Sequence, residues 1–338
     1  MKVSFLVTYY NQEQYVRQSL DSILAIEKAC DWEILIGDDG SSDGTVGIVQ
    51  KYIDRDSEHI HLYIMPRDPE RTYDPVRRAS ENRLNLLEHC TGDCFCILDG
   101  DDFYMDTSFV PDAVQVMEAH SEVSFVAFGY SYFRDGAYEE KLLPVAGDQL
   151  LDTEAFLRSM YTPGGAGVHR LSWGKERIEF IRKLGSFDDQ DLFMNSLHYG
   201  GIWYISRSIY AYRQVGESIY SRMKMMERAV LNVWGMDIAL ELTHRAWPDA
   251  LLERYGYSVI LMYDNRKRLR ERLGEEKLRR YLESSERLKE SVCHDLLVYD
   301  QLDSGDKKRV RDLAYTAMKG KKSGAMKIKI KSMLGAYQ

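Results

Sequence analysis

The sequence predicts an α/β domain, a mostly parallel sheet flanked by helices in residues 1–222, followed by a helical C-terminal region over 223–318. Three observations carry this. Short β-rich apolar runs alternate with helix-length amphipathic segments, the pattern of right-handed βαβ units. Several runs end in acidic or polar clusters, where an open parallel sheet puts its ligand crevice. Beyond residue 223 glycine thins, and helical patterns rich in Arg, Glu and Leu take over, broken at Trp247-Pro248 and Asp303-Ser304-Gly305.

Val3 to Thr8 reads as the first strand. Tyr9-Tyr10-Asn11 then turns into an amphipathic helix of about four turns, with Tyr15, Leu20, Ile23 and Leu24 near helical spacing. Trp32 to Gly37 is a second strand, ending in the turn cluster Asp38-Asp39-Gly40-Ser41-Ser42-Asp43-Gly44-Thr45, from which a helix with Val46, Ile48 and Val49 departs. A third strand at His61 to Ile64 leads through an Arg-rich connection into a helix with Leu84, Leu86 and Leu87. Asp93 to Leu98 is the fourth strand. A helix near Val110 to His120, a strand Val123 to Phe128 and an irregular stretch with Tyr130, Tyr132 and Phe133 come next. Tyr161 to Gly174, rich in glycine and polar residues, is expected to be a surface loop that orders over a substrate. The apolar run Ile202 to Tyr210 precedes Tyr212-Arg213.

The fourth strand stops at Asp99-Gly100-Asp101-Asp102. Acids this close repel one another, so a cation belongs at the strand end, unless the turn is simply solvated and caps the next helix. Carboxylate oxygen suits Mg²⁺ or Mn²⁺, and Mg²⁺ is usually held by one or two carboxylates plus substrate phosphates. The net charge of −8 gives no general pull toward nucleic acid, so a phosphate-bearing ligand has to be bound locally. Apolar residues make up 44% of the chain, enough for a packed globular protein.

Cys30, Cys90, Cys94, Cys96 and Cys293 read as reduced, core-type thiols, since no second Cys or His pair at zinc spacing follows Cys94 and Cys96. The N-terminus does not read as a signal peptide and no apolar segment approaches a membrane span, so a cytoplasmic location is expected. Residues 319–338 form a basic tail in which Lys319, Lys321, Lys322, Lys327, Lys329 and Lys331 interleave with Met326, Ile328 and Ile330. It is either a frayed soluble tail or a peripheral contact to anionic lipid.

Together, Val3 to Asn11, Glu33 to Thr45, Gly92 to Asp102, Asp188-Asp189-Gln190-Asp191-Leu192 and Tyr212-Arg213 resemble the motifs of glycosyltransferase family 2, in order and spacing, over roughly the first 220 residues. The helical C-terminal third lies outside the resemblance. It implies the GT-A fold, a nucleotide-diphosphate sugar donor, a saccharide or lipid-linked acceptor and inverting transfer, in a setting such as bacterial surface polysaccharide assembly. Thr8 and Tyr10 then lie at the nucleobase, Asp39 accepts the N3 hydrogen of uracil or thymine, Asp99 holds the ribose and Asp101 the metal, with Asp102 a helper. Asp189 is the base that takes the acceptor proton, in the second position of the family's Glu-Asp pair. Asp188 replaces the Glu, and Asp191 is the nearest rival. Ser186 as a helix N-cap with Asp189 as its capping partner is the alternative use of this segment. Tyr212 and Arg213 match an element near the diphosphate, and Arg78 and Arg83 are candidate additions to that clamp. His169 and Arg170 are weaker acceptor-side candidates. Two other classes stay open: a sugar nucleotidyltransferase, whose Gly-rich basic signature after strand one is not matched by Tyr9-Tyr10-Asn11-Gln12, and a non-catalytic sugar-nucleotide-binding scaffold of the same fold.

Overall fold

The computed structural model describes residues 1–27, 31–68, 70, 72–215, 225–264, 299 and 301–318; the basic tail lies outside the described residues. The strands run in the order β3-β2-β1-β4-β9-β6-β10-β5. Here β1 is Val3–Tyr9, β2 Trp32–Asp38, β3 Ile60–Ile64, β4 Cys94–Asp99, β5 Phe103–Tyr104, β6 Val123–Arg134, β9 Gly167–Arg170 and β10 Gly201–Arg213. β7 (Ala137–Lys141) pairs with β6, and β8 (Gln149–Leu150) with β10. Neighbours from β3 to β4 are parallel, as are β6 and β10, whereas β9 lies antiparallel between β4 and β6. The mostly parallel α/β architecture expected from the sequence is therefore present. β1 lies between β2 and β4, where the winding reverses, and this opens a crevice at the carboxyl ends of β1 and β4.

The helix α1 (Val16–Leu24) is shorter than its apolar periodicity suggests, because residues 10–15 are consumed in a turn fixed by side chains: Ser41 Oγ accepts from the Asn11 N–H, and Asn11 Oδ1 accepts from the Ser42 N–H. Val16, Leu20 and Ile23 pack with Val3, Phe5 and Val7, the alternate residues of β1. Full burial of each such side chain contributes about 1.5–3 kcal/mol. On the second face α3 (Pro75–His89) begins with a Pro at N1 and an Asp74 cap whose carboxylate accepts from the N–H groups of Val76 and Arg77. Leu84, Leu86 and Leu87 are buried from it. α2 (Thr45–Ile53) and α4 (Phe109–Ala119) complete the helical cover.

Two expectations are corrected. The stretch with Tyr130, Tyr132 and Phe133 is not irregular: it continues β6 beside β10, the tyrosines pairing with Tyr210 and Tyr212. Nor is Tyr161 to Gly174 a surface loop, because its centre is β9, inserted between β4 and β6. A side chain at Gly167 would lie 2.3 Å from the Val126 carbonyl, so this glycine serves close strand packing, not mobility. His169, suggested for the acceptor side, is fully buried, stacked on Phe125 at 4.0 Å and hydrogen-bonded to Ser196 Oγ and the Gly164 carbonyl at 2.8 Å each. Burial lowers its pKa to about 3 and keeps it neutral. Arg170 donates to the carbonyls of Val123, Met117 and His120. Both are structural, and His169→Ala is expected to cost about 3 kcal/mol in urea denaturation through the cavity and the orphaned partners.

A second compact unit comprises residues 154–159 and, among the described residues beyond 219, 225–264, 299 and 301–318. Its described helices are α5 (Thr153–Ser159), α8 (Met225–Leu242), α9 (Pro248–Asp264) and α10 (Ser304–Met318), numbered after α6 (Lys175–Leu184) and α7 (Asp189–Leu197) of the first unit. Buried Arg254 of α9 donates to the Leu157 carbonyl of α5 at 3.1 Å, which ties that short helix to its own unit. No helix among the described residues is long and apolar enough to cross a membrane.

Candidate active site

Strand register sets the first half of the site. Thr8 of β1 pairs with Asp99 of β4, and Thr8 Oγ1 donates to Asp99 Oδ1 at 3.2 Å. The chain then turns at Gly100, where a side chain would strike the Tyr9 ring at 2.2 Å. Asp102 turns inward, accepting from Tyr210 OH at 2.5 Å and from the Arg213 N–H at 2.7 Å. Its carboxyl is pushed well above the usual range by burial and by Asp101 and Asp99. Arg213 Nε donates to the Asp101 carbonyl at 2.6 Å, so the end of β10 clamps the backbone of the acidic turn. The Asp101 carboxyl is largely buried, its pKa pushed up to about 6 by burial and then by the charge of Asp99, against Arg213 and a hydrogen bond from Gln12.

At the end of β2 the two adjacent acids divide their work. Asp38 is fully buried and holds its own turn, accepting from the Ser41 N–H at 2.7 Å and Ser41 Oγ at 2.6 Å. Asp39 points the other way, its two carboxylate oxygens ion-paired to Arg67 and Arg78, one guanidinium each. Arg67 stacks over Tyr10 at 3.9 Å, and Arg78 lies 4.9 Å from the ring of Tyr73. Arg78, expected on the diphosphate, is thus placed on Asp39 instead: α3 starts beside the end of β2, and the buried carboxylate captures the nearest guanidinium.

The start of α7 supplies the acceptor-side candidates. Asp188 is the N-cap, accepting from the N–H groups of Gln190 and Asp191, while the Asp191 carboxylate accepts from the Asp188 N–H in a reciprocal capping box. The cap is therefore Asp188 and not Ser186. Asp188 and Asp191 are committed to the helix start, which leaves Asp189 as the acid of this segment outside the box. Asp189 Oδ1 lies 3.7 Å from Arg83 Nη2, and the same nitrogen donates to Asp99 Oδ1 at 2.7 Å. Burial first, then the charge of Asp99, pushes the Asp189 carboxyl up to about 7 despite Arg83.

Thr8, Asp99, Asp101, Asp189, Arg83 and Arg213 thus gather at one end of the sheet, with Tyr10 and Asp39 beside them at the end of β2. Tyr212 packs edge-on to Tyr132 at 6.0 Å, and its hydroxyl pKa is raised by burial and by Asp189. Sequence reasoning missed Arg67 and Tyr73. Their signal is the Arg-rich connection after β3, which needed a buried acid to give it a purpose.

The profile of Glycosyl transferase family 2 matches residues 4–172, half of the chain. Among characterised relatives, poly(ribitol-phosphate) beta-N-acetylglucosaminyltransferase TarS of Staphylococcus aureus is 25% identical over 234 residues, 65% of this chain and 37% of TarS. Glycosyltransferase GlyA of Streptococcus pneumoniae is 26% identical over 233 residues, 63% of this chain and 30% of GlyA. The chain spans about half the length of its curated relatives, or less. The solved structure of TarS residues 1–349 with UDP-GlcNAc superposes with a TM-score of 0.58 at 16% identity, covering 100% of this chain and 91% of that one, which establishes a common GT-A fold. By profile and by fold, the chain belongs to glycosyltransferase family 2.

Proposed function

We propose that this protein transfers a sugar from a UDP- or dTDP-sugar to a hydroxyl of a saccharide or lipid-linked acceptor, with inversion, in bacterial surface polysaccharide or glycoconjugate assembly. The observation that carries the reading is that Asp99, from the donor-side motif, and Asp189, from a separate helix start, meet on one guanidinium. Donor-side and acceptor-side carboxylates in one cleft are what a single displacement needs.

The surroundings of Asp39 support a uracil or thymine base. That base presents acceptor, donor, acceptor along its edge. A carboxylate flanked by two guanidinium groups presents donor, acceptor, donor. Guanine, which offers two adjacent N–H donors, would compete with Arg67 and Arg78 for both carboxylate oxygens. The exposure of Tyr10, 44%, and the guanidinium of Arg67 over its ring support its reading as the stacking partner of the base. TarS, solved with UDP-GlcNAc, is consistent with a uridine donor here.

Mn²⁺ or Mg²⁺ fits the acidic turn. Asp101 is a carboxyl made costly to ionise by burial and then by Asp99, which a cation would relieve. Asp101 would hold the ion together with phosphate oxygens of the donor, since Mg²⁺ is usually bound by one or two carboxylates plus substrate phosphates. An ion held there would supply positive charge to offset the charge on the departing diphosphate. Asp189 receives the proton of the attacking hydroxyl, Thr8 and Asp99 orient the donor, and Arg213 keeps the acidic turn in place. A cytoplasmic location at the inner face of the membrane suits a lipid-linked acceptor.

A thermal-shift panel tests the binding half. UDP at about 100 times its Kd with Mn²⁺ is expected to stabilise the protein by about 2.7 kcal/mol. UDP without metal should do markedly less and GDP with metal little. Equal shifts for UDP and GDP, or indifference to metal, would contradict the reading.

A further inference from the structure

Arg83 springs from the middle of α3, yet its guanidinium ends between the two groups of acids. The side chain is 11% exposed. Nη2 donates to both oxygens of Asp99, at 2.7 and 3.0 Å, and lies 3.7 Å from Asp189. Nη1 donates to the Phe187 carbonyl at 3.2 Å, and Nε is buried without a partner. With Nη1 and Nη2 engaged and Nε sealed, this guanidinium is poorly placed to grip a diphosphate.

Its contacts fix a peptide instead. Phe187 immediately precedes the Asp188 cap, and α3 holds it from both sides: Ser80 Oγ accepts from the Phe187 N–H at 2.9 Å while Arg83 takes the carbonyl. Phe187 itself is fully buried, so the start of α7 has little freedom to shift. The same guanidinium sits where Asp99, Asp188 and Asp189 bring their charges together. Without it, repulsion between Asp99 and Asp189 would drive the second carboxylate away from the cleft.

We propose that Arg83 is a positioning residue for glycosyl transfer, locking the start of α7 to the end of β4 so that the Asp189 carboxylate is held beside the donor-side acid Asp99. This rests on the reading of Asp189 as the base. It separates Arg83 from the diphosphate clamp, because a positioning residue governs turnover and a clamp governs donor affinity.

The test is steady-state hydrolysis of a UDP-sugar with Mn²⁺ by wild type, Arg83→Gln and Arg83→Lys, alongside the UDP thermal shift. Arg83→Gln is expected to lose about 100-fold in kcat, the scale of a misplaced base, with donor KM within about threefold and the UDP shift retained. Arg83→Lys keeps the charge but cannot reach Asp99 and the Phe187 carbonyl together, and should recover about a tenth of the lost rate. If the Gln variant does not fold, a kcat loss of about tenfold in the Lys variant at unchanged KM carries the same conclusion. A rise in donor KM at constant kcat would overturn the proposal in favour of a clamp, as would turnover by both variants within about threefold of wild type. A wild type that hydrolyses no UDP-sugar sinks the functional reading itself, whereas active variants beside an active wild type sink only this inference.

Discussion

Asp189→Asn is expected to bind UDP and Mn²⁺ as the wild type does and to lose about 10² to 10⁴ in kcat, the usual contribution of a general base. The amide keeps the shape of the side chain and its place beside Arg83 but cannot accept a proton. Donor KM should stay near the wild-type value, since the role proposed for Asp189 is toward the acceptor. The raised pKa adds a pH signature. Asp189 must be ionised to act, so kcat/KM should climb with pH through about 7 and level off above it. Stability runs the opposite way. The folded carboxyl holds its proton up to about pH 7. The unfolded one releases it near its ordinary value of about 3.9. The contribution of this group to stability is therefore complete below about pH 4 and lost as pH rises through about 7. Asp189→Asn, permanently neutral, should melt higher than wild type at pH 8 and close to it at pH 4. A variant of unchanged kcat, or one melting lower at pH 8, would remove Asp189 from the role of base.

Asp101→Ala is the second large effect. If Asp101 holds the cation, several kcal/mol of transition-state stabilisation go with it. At 1.36 kcal/mol per tenfold, that is about 10³-fold or more in turnover, and the metal-dependent part of the UDP thermal shift should vanish. Asp102→Asn is expected to differ. Its carboxylate ties Tyr210 and the Arg213 N–H to the acidic turn, so that variant should lose thermal stability while retaining metal-dependent UDP binding. Asp101→Ala and Asp102→Asn with equal effects on metal response would mean that the two acids are not divided as their hydrogen bonds suggest.

Much of this arrangement is legible in the sequence, because β1, β2 and β4 are short apolar runs with no competing helical period, and each stops at polar or acidic residues beside the crevice. What was not legible has identifiable causes. Tyr130 and Tyr132 alternate with Gly129 and Ser131, a strand pattern, but the continuous apolar run that marks a buried strand stops at Phe128. The glycines near residue 165 resemble a loop by composition, yet they are there because β9 is pressed between neighbours: a side chain at Gly165 would lie 2.7 Å from the Ile97 carbonyl. In Asp188-Asp189-Gln190-Asp191 the acids look interchangeable until the reciprocal cap claims the first and last. Arg78 and Arg83, five residues apart on one helix, read alike in sequence; only the strand ends that each one meets separate a partner of Asp39 from a bridge between Asp99 and Asp189.

The central claim is that acids from three separate chain turns, Asp39, Asp101 and Asp189, serve one glycosyl transfer. A crystal structure of this protein grown with UDP and Mn²⁺ tests it most directly, with the metal located by its anomalous scattering. The account predicts the base edge against Asp39, the ion bridging Asp101 and the diphosphate, and Asp189 on the open side of the β-phosphate. Nucleotide bound elsewhere, or an ion held without Asp101, would contradict it.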